Sequence, residues 1–358
     1  MPDEIKCGVI GAGWWATFAH IPALLSHPDA KLVAIQNNDP HEAQKIAHDF
    51  GIPFACTTPD ELLAIEGISA IVVSSSPSLH YRDAFAALSH GKHVLIEKPM
   101  TLTVTEAIEL AKMADKNGIQ FLISCPWHYT AHATEAQRLI RHGDLGQVRM
   151  ISVLMTNPIG NLLRGTGTQP THTNGEPYMH PRAGTYSDPK LAGGGQIYAQ
   201  VCHAAAYLTF LTGARPAEVF ARFHNDGAEL DIYDAIDIRM TDSSIVTIAS
   251  TGATNLERKD FEVRVFGTKG MIFLDLWRGK LEFIPLSGEP CTYPDLPPDA
   301  VYPHLAPATN LIDSIHAPDR NQSPAILGVA AMEVIEGASR SAATGNNILV
   351  SSLVGLPR

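Results

Sequence analysis

The sequence predicts two units of different class, an α/β unit on a parallel sheet and then an α+β unit on a large, open, mostly antiparallel sheet. Three observations carry this. The first third alternates short apolar runs with helical patterns, as in βαβ units whose strands are buried on both faces. After about Ser124 that rhythm gives way to extended, alternating segments joined by turns. Finally, 358 residues exceed one ordinary core at roughly 100–200 residues per domain, so units 1–124 and 125–358 are expected.

In chain order, "KCGVIGAG" reads as strand and turn, "FAHIPALLSH" as helix, "KLVAIQNND" as strand, and "PHEAQKIAHDFG" as a helix closed by Gly51. "ISAIVVSSS", "KHVLIEKP" and "IQFLISC" read as further strands, separated by the helices "SLHYRDAFAALSHG" and "VTEAIELAKMADKNG". A helix "TEAQRLIRHG" and a strand in "QVRMISVLMTNP" open the second unit. Next comes a Gly/Pro/Thr/His-rich segment from about Asn157 to Ala192. "AEVFARFHN", "DAIDIRMTD", "SIVTIASTG", "FEVRVFGTKG" and "MIFLDLWRG" then alternate like sheet strands, and "TNLIDSIH" and "ILGVAAMEVIEGASRSAATG" read as late helices.

With 45% apolar and 18% charged residues the chain can bury substantial cores, which argues against disorder. A net charge of −11 disfavours nucleic acid and anionic membrane as partners. Cys7, Cys56, Cys125, Cys202 and Cys291 show no zinc-ligand spacing and read as reduced. The start lacks the basic and apolar regions of a secretory signal, and no apolar run reaches ~18 residues, so a cytoplasmic, membrane-free protein is expected.

"GVIGAGWWA" sets Gly11, Gly13 and Ala16 in a G-x-G-x-x-A turn between strand and helix, where backbone can approach a pyrophosphate and the helix start can bind it. Adjacent Trp14 and Trp15 cannot both face inward, so at least one is expected at the cofactor. An acid is expected at the end of the second strand for the ribose; here Asn37 and Asn38 stand there, with Asp39 beyond and no arginine next to them. NAD is favoured and NADP stays open.

Glu97-Lys98-Pro99 closes a late strand of the parallel sheet, the edge where such sheets bind ligands. Proline fixes the exit of the chain and gives the Lys98 amine a defined direction. In the second unit, "GGGQIYAQVCH" puts three glycines ahead of His203. Taken alone, that histidine fits either proton transfer or a satisfied core position.

The motifs "GVIGAGWWA", "SSSPSLHYRDAFAALSHGKHVLIEKPM", "IRHGDLGQV", the glycine-histidine stretch and "VFGTKGMIFLD" resemble, in order and spacing, the Gfo/Idh/MocA oxidoreductases, over essentially the whole chain. The resemblance implies NAD(P)-dependent oxidation or reduction at a secondary hydroxyl of a sugar, glycoside or cyclitol, with Lys98 holding cofactor and substrate and His203 as base. It also implies cofactor contacts from Ser75, Ser76, His80 and Glu97, and a homodimer or homotetramer paired through the open sheets. The family motif usually carries an aspartate four residues before the histidine; here Ala199 stands in that place, followed by Gln200.

Substrate contacts are expected from Lys98, Trp127, His128, Gln200 and His203. The polar segment around 157–192 adds Arg164 and Tyr178 ahead of His172, Asn174, His180, Arg182 and Tyr186. Asp231, Tyr233 and Asp234 are weaker candidates. His172 and His180 lack a third ligand at a suitable spacing, so no metal is expected. Two alternatives remain: a redox-neutral glycosidase that oxidises a hydroxyl transiently, and a catalytically silent NAD(P)-binding regulator.

Overall fold

The apolar run at the start of the chain forms β1 (Ile5–Ile10), the centre of a six-stranded parallel sheet. The structure is a computed structural model and describes residues 4–167, 177–182, 184–254 and 258–354. β2 (Ala30–Gln36), β3 (Phe54–Cys56), β4 (Ile68–Val73), β5 (His93–Ile96) and β6 (Phe121–Ile123) complete the sheet in the order β3-β2-β1-β4-β5-β6. Strand order reverses between β1 and β4, which opens a crevice at their carboxyl ends. The helices are closed by ordinary stops, such as Gly51 at φ +67° after the helix Pro40–Phe50.

The second sheet has nine strands. β7 (Val148–Thr156), β8 (Pro216–His224), β9 (Tyr233–Met240), β10 (Ile245–Thr251), β11 (Asp260–Gly267), β12 (Gly270–Asp275), β13 (Lys280–Pro285), β14 (Cys291–Thr292) and β15 (Ile348–Leu349) run in the order β14-β13-β12-β11-β7-β10-β9-β8-β15. Only the β7–β10 pair among these is parallel. β9 and β10 alternate buried and exposed residues along their length, so one face is covered and the other lies open. The helices Cys202–Thr212 and Ala325–Thr344 cover the buried face.

The expected two-sheet architecture is therefore present, with one difference. The helix Ala306–His316 returns to the first sheet, where Ala308, Leu311 and Ile312 join the cluster containing Val9, Ile21, Leu24 and Ile35. The edge of β6 is likewise closed from far along the chain, as the Ile123 amide donates to the Ser323 carbonyl at 2.9 Å. Among the described residues, no helix is long and apolar enough to cross a membrane.

Candidate active site

The crevice at the switch point continues into a cleft bounded by both sheets. Its empty space, including the open mouth, is about 1710 Å³. It extends from Gly11 and Gly13 of the first unit to His203 and Trp277 of the second.

β1 delivers Gly11 in the left-handed region at φ +79°, where an added Cβ would fall 2.4 Å from the Ser75 amide nitrogen. Glycine is required there by both conformation and space. The Gly11 and Ala12 amides donate to the Gln36 carbonyl at 3.1 and 2.7 Å, tying the turn to the end of β2. Gly13 differs: a Cβ there would meet nothing closer than the Gly11 carbonyl at 3.9 Å. Backbone lies bare at the start of the helix that follows, which fits the pyrophosphate of a dinucleotide. Ala16 is fully buried one turn on, packing the helix rather than lining the cleft.

At the end of β2 the amide of Asn37 is already engaged, donating to the Ala12 carbonyl at 2.9 Å and to Glu42 at 3.1 Å. Asp39 has become a helix cap, accepting from the His41 and Glu42 amides at 2.9 and 3.3 Å, and those two bonds hold its carboxyl below the usual range. The exposed Asn38 accepts from the Gln36 side chain at 2.8 Å. An arginine does stand beside this position. Arg182 comes from the second unit to pair with Glu42 and reaches Asn37 at 3.4 Å, so the absence of a neighbouring arginine holds along the chain but not in space.

On the β4 side, Ser75 donates to Asp83 at 2.6 Å, and Ser76 precedes the helix Pro77–Ser89 without capping it through its side chain. His80 is buried with Nδ1 2.7 Å from the Pro99 carbonyl and Nε2 2.9 Å from the Ser75 carbonyl. It therefore braces the serine loop against the loop after β5, and burial pulls its pKa down despite both contacts.

β5 ends in a buried network. Glu97 accepts from the Trp15 indole at 2.8 Å and lies 2.8 Å from Nε2 of His20. Burial pushes the Glu97 carboxyl up, but His20 and the nearby Lys98 outweigh it and hold the carboxyl below its ordinary range. Lys98, whose peptide bond to Pro99 is cis, donates from Nζ to the Ala199 carbonyl at 2.9 Å. Burial works against the Lys98 charge, yet its electrostatic neighbours, the Glu97 carboxylate among them, more than offset this and hold its pKa above the ordinary lysine value.

Ala199 lies in the π-helical turn Ile197–Val201, a wide turn of the kind found at functional sites, and the helix then carries His203. The three glycines ahead of it are closely packed, Gly193 and Gly194 against the Tyr198 ring and Gly195 against backbone. A Cβ on Gly195 would sit 2.1 Å from the Asp231 carbonyl oxygen. The Asp231 carboxylate accepts from the Gly195 and Ile197 amides at 2.8 and 2.7 Å, so this acid anchors the helix start instead of touching a sugar. His203 lines the cleft, its ring 5.1 Å from that of Trp127, with Nδ1 buried and unpartnered. Burial first, then the charge of Lys98, lowers its pKa well below the ordinary value, leaving a neutral imidazole.

Of the remaining expected residues, Trp14, Trp15, Trp127 and Gln200 also line the cleft. His128, Arg164 and Tyr178 do not. In the 3₁₀ turn Pro126–Tyr129, successive side chains point about 120° apart, so His128 turns away from Trp127, stacks on Phe210 at 4.6 Å and meets Ser323 at 2.9 Å. Arg164 pairs with Asp226 at 2.6 Å, and the Tyr178 hydroxyl donates to Asp49 at 2.7 Å on the outer surface of the first unit. Their neighbours in the same segment, His180, Arg182 and Tyr186, face the cleft, as do Trp277 and Tyr302. Tyr302 follows no motif, and the aromatic contacts among Trp127, Trp277 and Tyr302, with ring centroids 4.7–5.5 Å apart, depend on segments far apart in sequence. His172 and Asn174 lie outside the described residues. Among those described, no group of three or more metal-binding side chains converges.

Residues 5–124 match an oxidoreductase family with an NAD-binding Rossmann fold, and residues 133–273 match the GFO/IDH/MocA C-terminal domain. An uncharacterized oxidoreductase of Synechocystis is 33% identical over 218 residues, 61% of this chain and 53% of that protein. A dTDP-3,4-didehydro-2,6-dideoxy-alpha-D-glucose 3-reductase of Streptomyces antibioticus is 34% identical over 160 residues, 44% of this chain and 48% of that protein. The chain thus spans about half the length of these two relatives. The crystal structure of an aldose-aldose oxidoreductase from Caulobacter crescentus shares the fold, with a TM-score of 0.77 at 22% identity, covering 97% of this chain and 99% of that one. With a glycine turn that fits a dinucleotide and matches along both units, the chain belongs to the Gfo/Idh/MocA family of NAD-binding oxidoreductases.

Proposed function

We propose that this cleft oxidises or reduces a secondary hydroxyl of a sugar, glycoside or cyclitol, with His203 moving the proton and Lys98 holding the reacting oxygen. The observation that carries the reading is that Lys98 and His203 line one cleft with the bare glycine turn, although 101 positions separate Lys98 from the carbonyl it bonds. A nicotinamide bound along the cleft supplies the hydride acceptor or donor. His203, a neutral imidazole inside a largely aromatic wall, is suited to accept the hydroxyl proton. Lys98 is suited to stabilise the oxygen as negative charge develops on it, because the Ala199 carbonyl fixes the amine without neutralising it. Gly11 and Gly13 hold the pyrophosphate in this reading, while Trp14 and Trp15 flank the ring end. The relatives named for sugar chemistry support the substrate class.

The test is a panel of sugars, inositols and glycosides with NAD and NADP, followed by His203→Ala on the best substrate. Turnover should fall at least 100-fold with cofactor affinity within about twofold; near-normal turnover rejects the role.

One observation favours a second reading, in which the cofactor stays bound through the cycle. Residues 177–182 cross onto the first unit, where Met179 packs against its core and Arg182 meets Glu42 beside the adenosine end. A redox-neutral glycosidase would show steady nicotinamide absorbance while free sugar is released, and stoichiometric NADH would reject it. Self-association is proposed through the open sheet face, which exposes Met150, Leu154, Tyr233 and Ile245. Light scattering after gel filtration tests it, and a monomeric mass rejects it.

A further inference from the structure

Two glutamines four residues apart meet opposite fates. In a regular α-helix Gln196 and Gln200 would share one face. The π-helical turn Ile197–Val201 lies between them and breaks that relation. Gln196 is fully buried against the second sheet, where its amide donates to Asn157 at 3.1 Å and to Ser250 at 2.9 Å. Gln200, half-buried, lines the cleft instead, and its side-chain amide bonds to none of the described residues. Polar neighbours are already engaged: the Tyr198 hydroxyl donates to the Leu102 carbonyl at 3.3 Å, and Glu97 is held by Trp15 and His20, each at 2.8 Å. The residue before Gln200 supplies the carbonyl that fixes Lys98 Nζ at 2.9 Å, and His203 follows on the same helix. The amide therefore springs from the turn that positions both reacting groups. It joins a donor edge to an acceptor edge, as a hydroxyl does.

Resting on the oxidoreductase reading above, we propose that Gln200 holds the hydroxyl next to the reacting one and so selects which ring carbon is oxidised or reduced. Lys98 and His203 act on whichever secondary hydroxyl lies between them, and neither distinguishes one ring position from another. A second hydroxyl fixed by Gln200 sets the rotation of the ring, and with it the carbon whose hydrogen faces the nicotinamide. The ligand class is a ring with a vicinal pair of hydroxyls. Because the amide is neutral, it orients this ring without opposing the charge of Lys98. Orientation of this kind acts on rate as well as on binding, since a small misplacement of the reacting carbon slows hydride transfer steeply.

Gln200→Leu keeps a side chain of similar bulk and removes the amide. The parent substrate is whichever of D-glucose, methyl β-D-glucoside and myo-inositol the unaltered protein turns over fastest, and its monodeoxy forms are run beside it. The keto position of each product is read by NMR, and NAD affinity separately from quenching of tryptophan fluorescence. On the parent, kcat/KM should fall by about tenfold or more, with the NAD dissociation constant and melting temperature unchanged. Oxidation should no longer be confined to one carbon. One monodeoxy form should show a similar loss with the unaltered protein and no further loss with Gln200→Leu, because the amide has no hydroxyl left to hold. A kcat/KM within about twofold of the unaltered protein overturns the proposal. So does a product still confined to one carbon, a loss matched by weaker NAD binding, or losses that multiply on every active monodeoxy form. An unaltered protein inert on all three parents with both NAD and NADP overturns the underlying reading instead, and this proposal with it.

Discussion

Alanine at Gly13 and alanine at Gly11 should fail in opposite ways. At Gly13 the backbone is not left-handed and the new methyl meets only the Gly11 carbonyl at 3.9 Å. Folding should be untouched or favoured by about 0.4–1 kcal/mol through the stiffer unfolded chain. The same methyl, however, projects into the space that the pyrophosphate would occupy. At Gly11 the residue must adopt φ +79° and place its methyl 2.4 Å from the Ser75 nitrogen, an atom of backbone that cannot swing aside. The conformational cost is about 1–2 kcal/mol and the overlap adds about 1–3 kcal/mol. At roughly 2–4 °C per kcal/mol, the melting temperature should fall by roughly 4–20 °C. The assays are thermal melting without cofactor and calorimetric titration with NAD. Gly13→Ala should melt like the unaltered protein and bind NAD at least tenfold more weakly, a loss of about 1.4 kcal/mol. Tight NAD binding by Gly13→Ala, or a normal melt for Gly11→Ala, would refute the assignment of the turn.

Three further outcomes are expected. Because burial and Lys98 depress the His203 pKa below 6.5, the acid limb of kcat/KM should lie below pH 6.5; a limb above it would assign the proton to another group. The Asp234 carboxyl is pushed up to about 9 by burial and then by neighbouring Asp231, so the folded state holds a proton that the unfolded state releases near 3.8. Stability should therefore decline as pH rises from about 4 to 9, and Asp234→Asn should flatten the dependence of melting temperature on pH across that window. Arg182→Ala removes an exposed pair with Glu42 worth at most about 1 kcal/mol, so melting should barely move. Its affinity for NADP should fall more than that for NAD; equal losses would deny Arg182 any reach toward a 2′-phosphate.

Elements were legible where one physical rule acts over many residues. The glycine turn and the five parallel strands read from periodicity all form, because strands buried on both faces must be apolar throughout. β3, β14 and β15, of two or three residues, carry little pattern to recognise, and the six-residue β13 was not read either. The site was legible in part. Lys98 and His203 stand out because each ends or follows a motif. Tyr186 and Arg182 acquire meaning only when the segment before the triple glycine folds back, which no local spacing records. The choice of Arg164 and Tyr178 over them reflects side-chain chemistry that all four share; position decides, and position is tertiary. His128 was misplaced for a local reason, since adjacency to Trp127 in a tight turn separates the side chains instead of uniting them.

The return of the helix Ala306–His316 to the first sheet bears on how the chain is made. Val9, Ile21, Leu24 and Ile35 lie beneath a helix that leaves the ribosome almost two hundred residues after β6. At about 5–20 residues per second, that surface waits roughly 10–40 s for its cover. The nascent first unit is thus an apolar-faced intermediate, the kind of species that holding chaperones bind. A chain stopped near residue 300 would keep its nucleotide turn yet remain sticky, and the last sixty residues set solubility more than their distance from the cleft suggests.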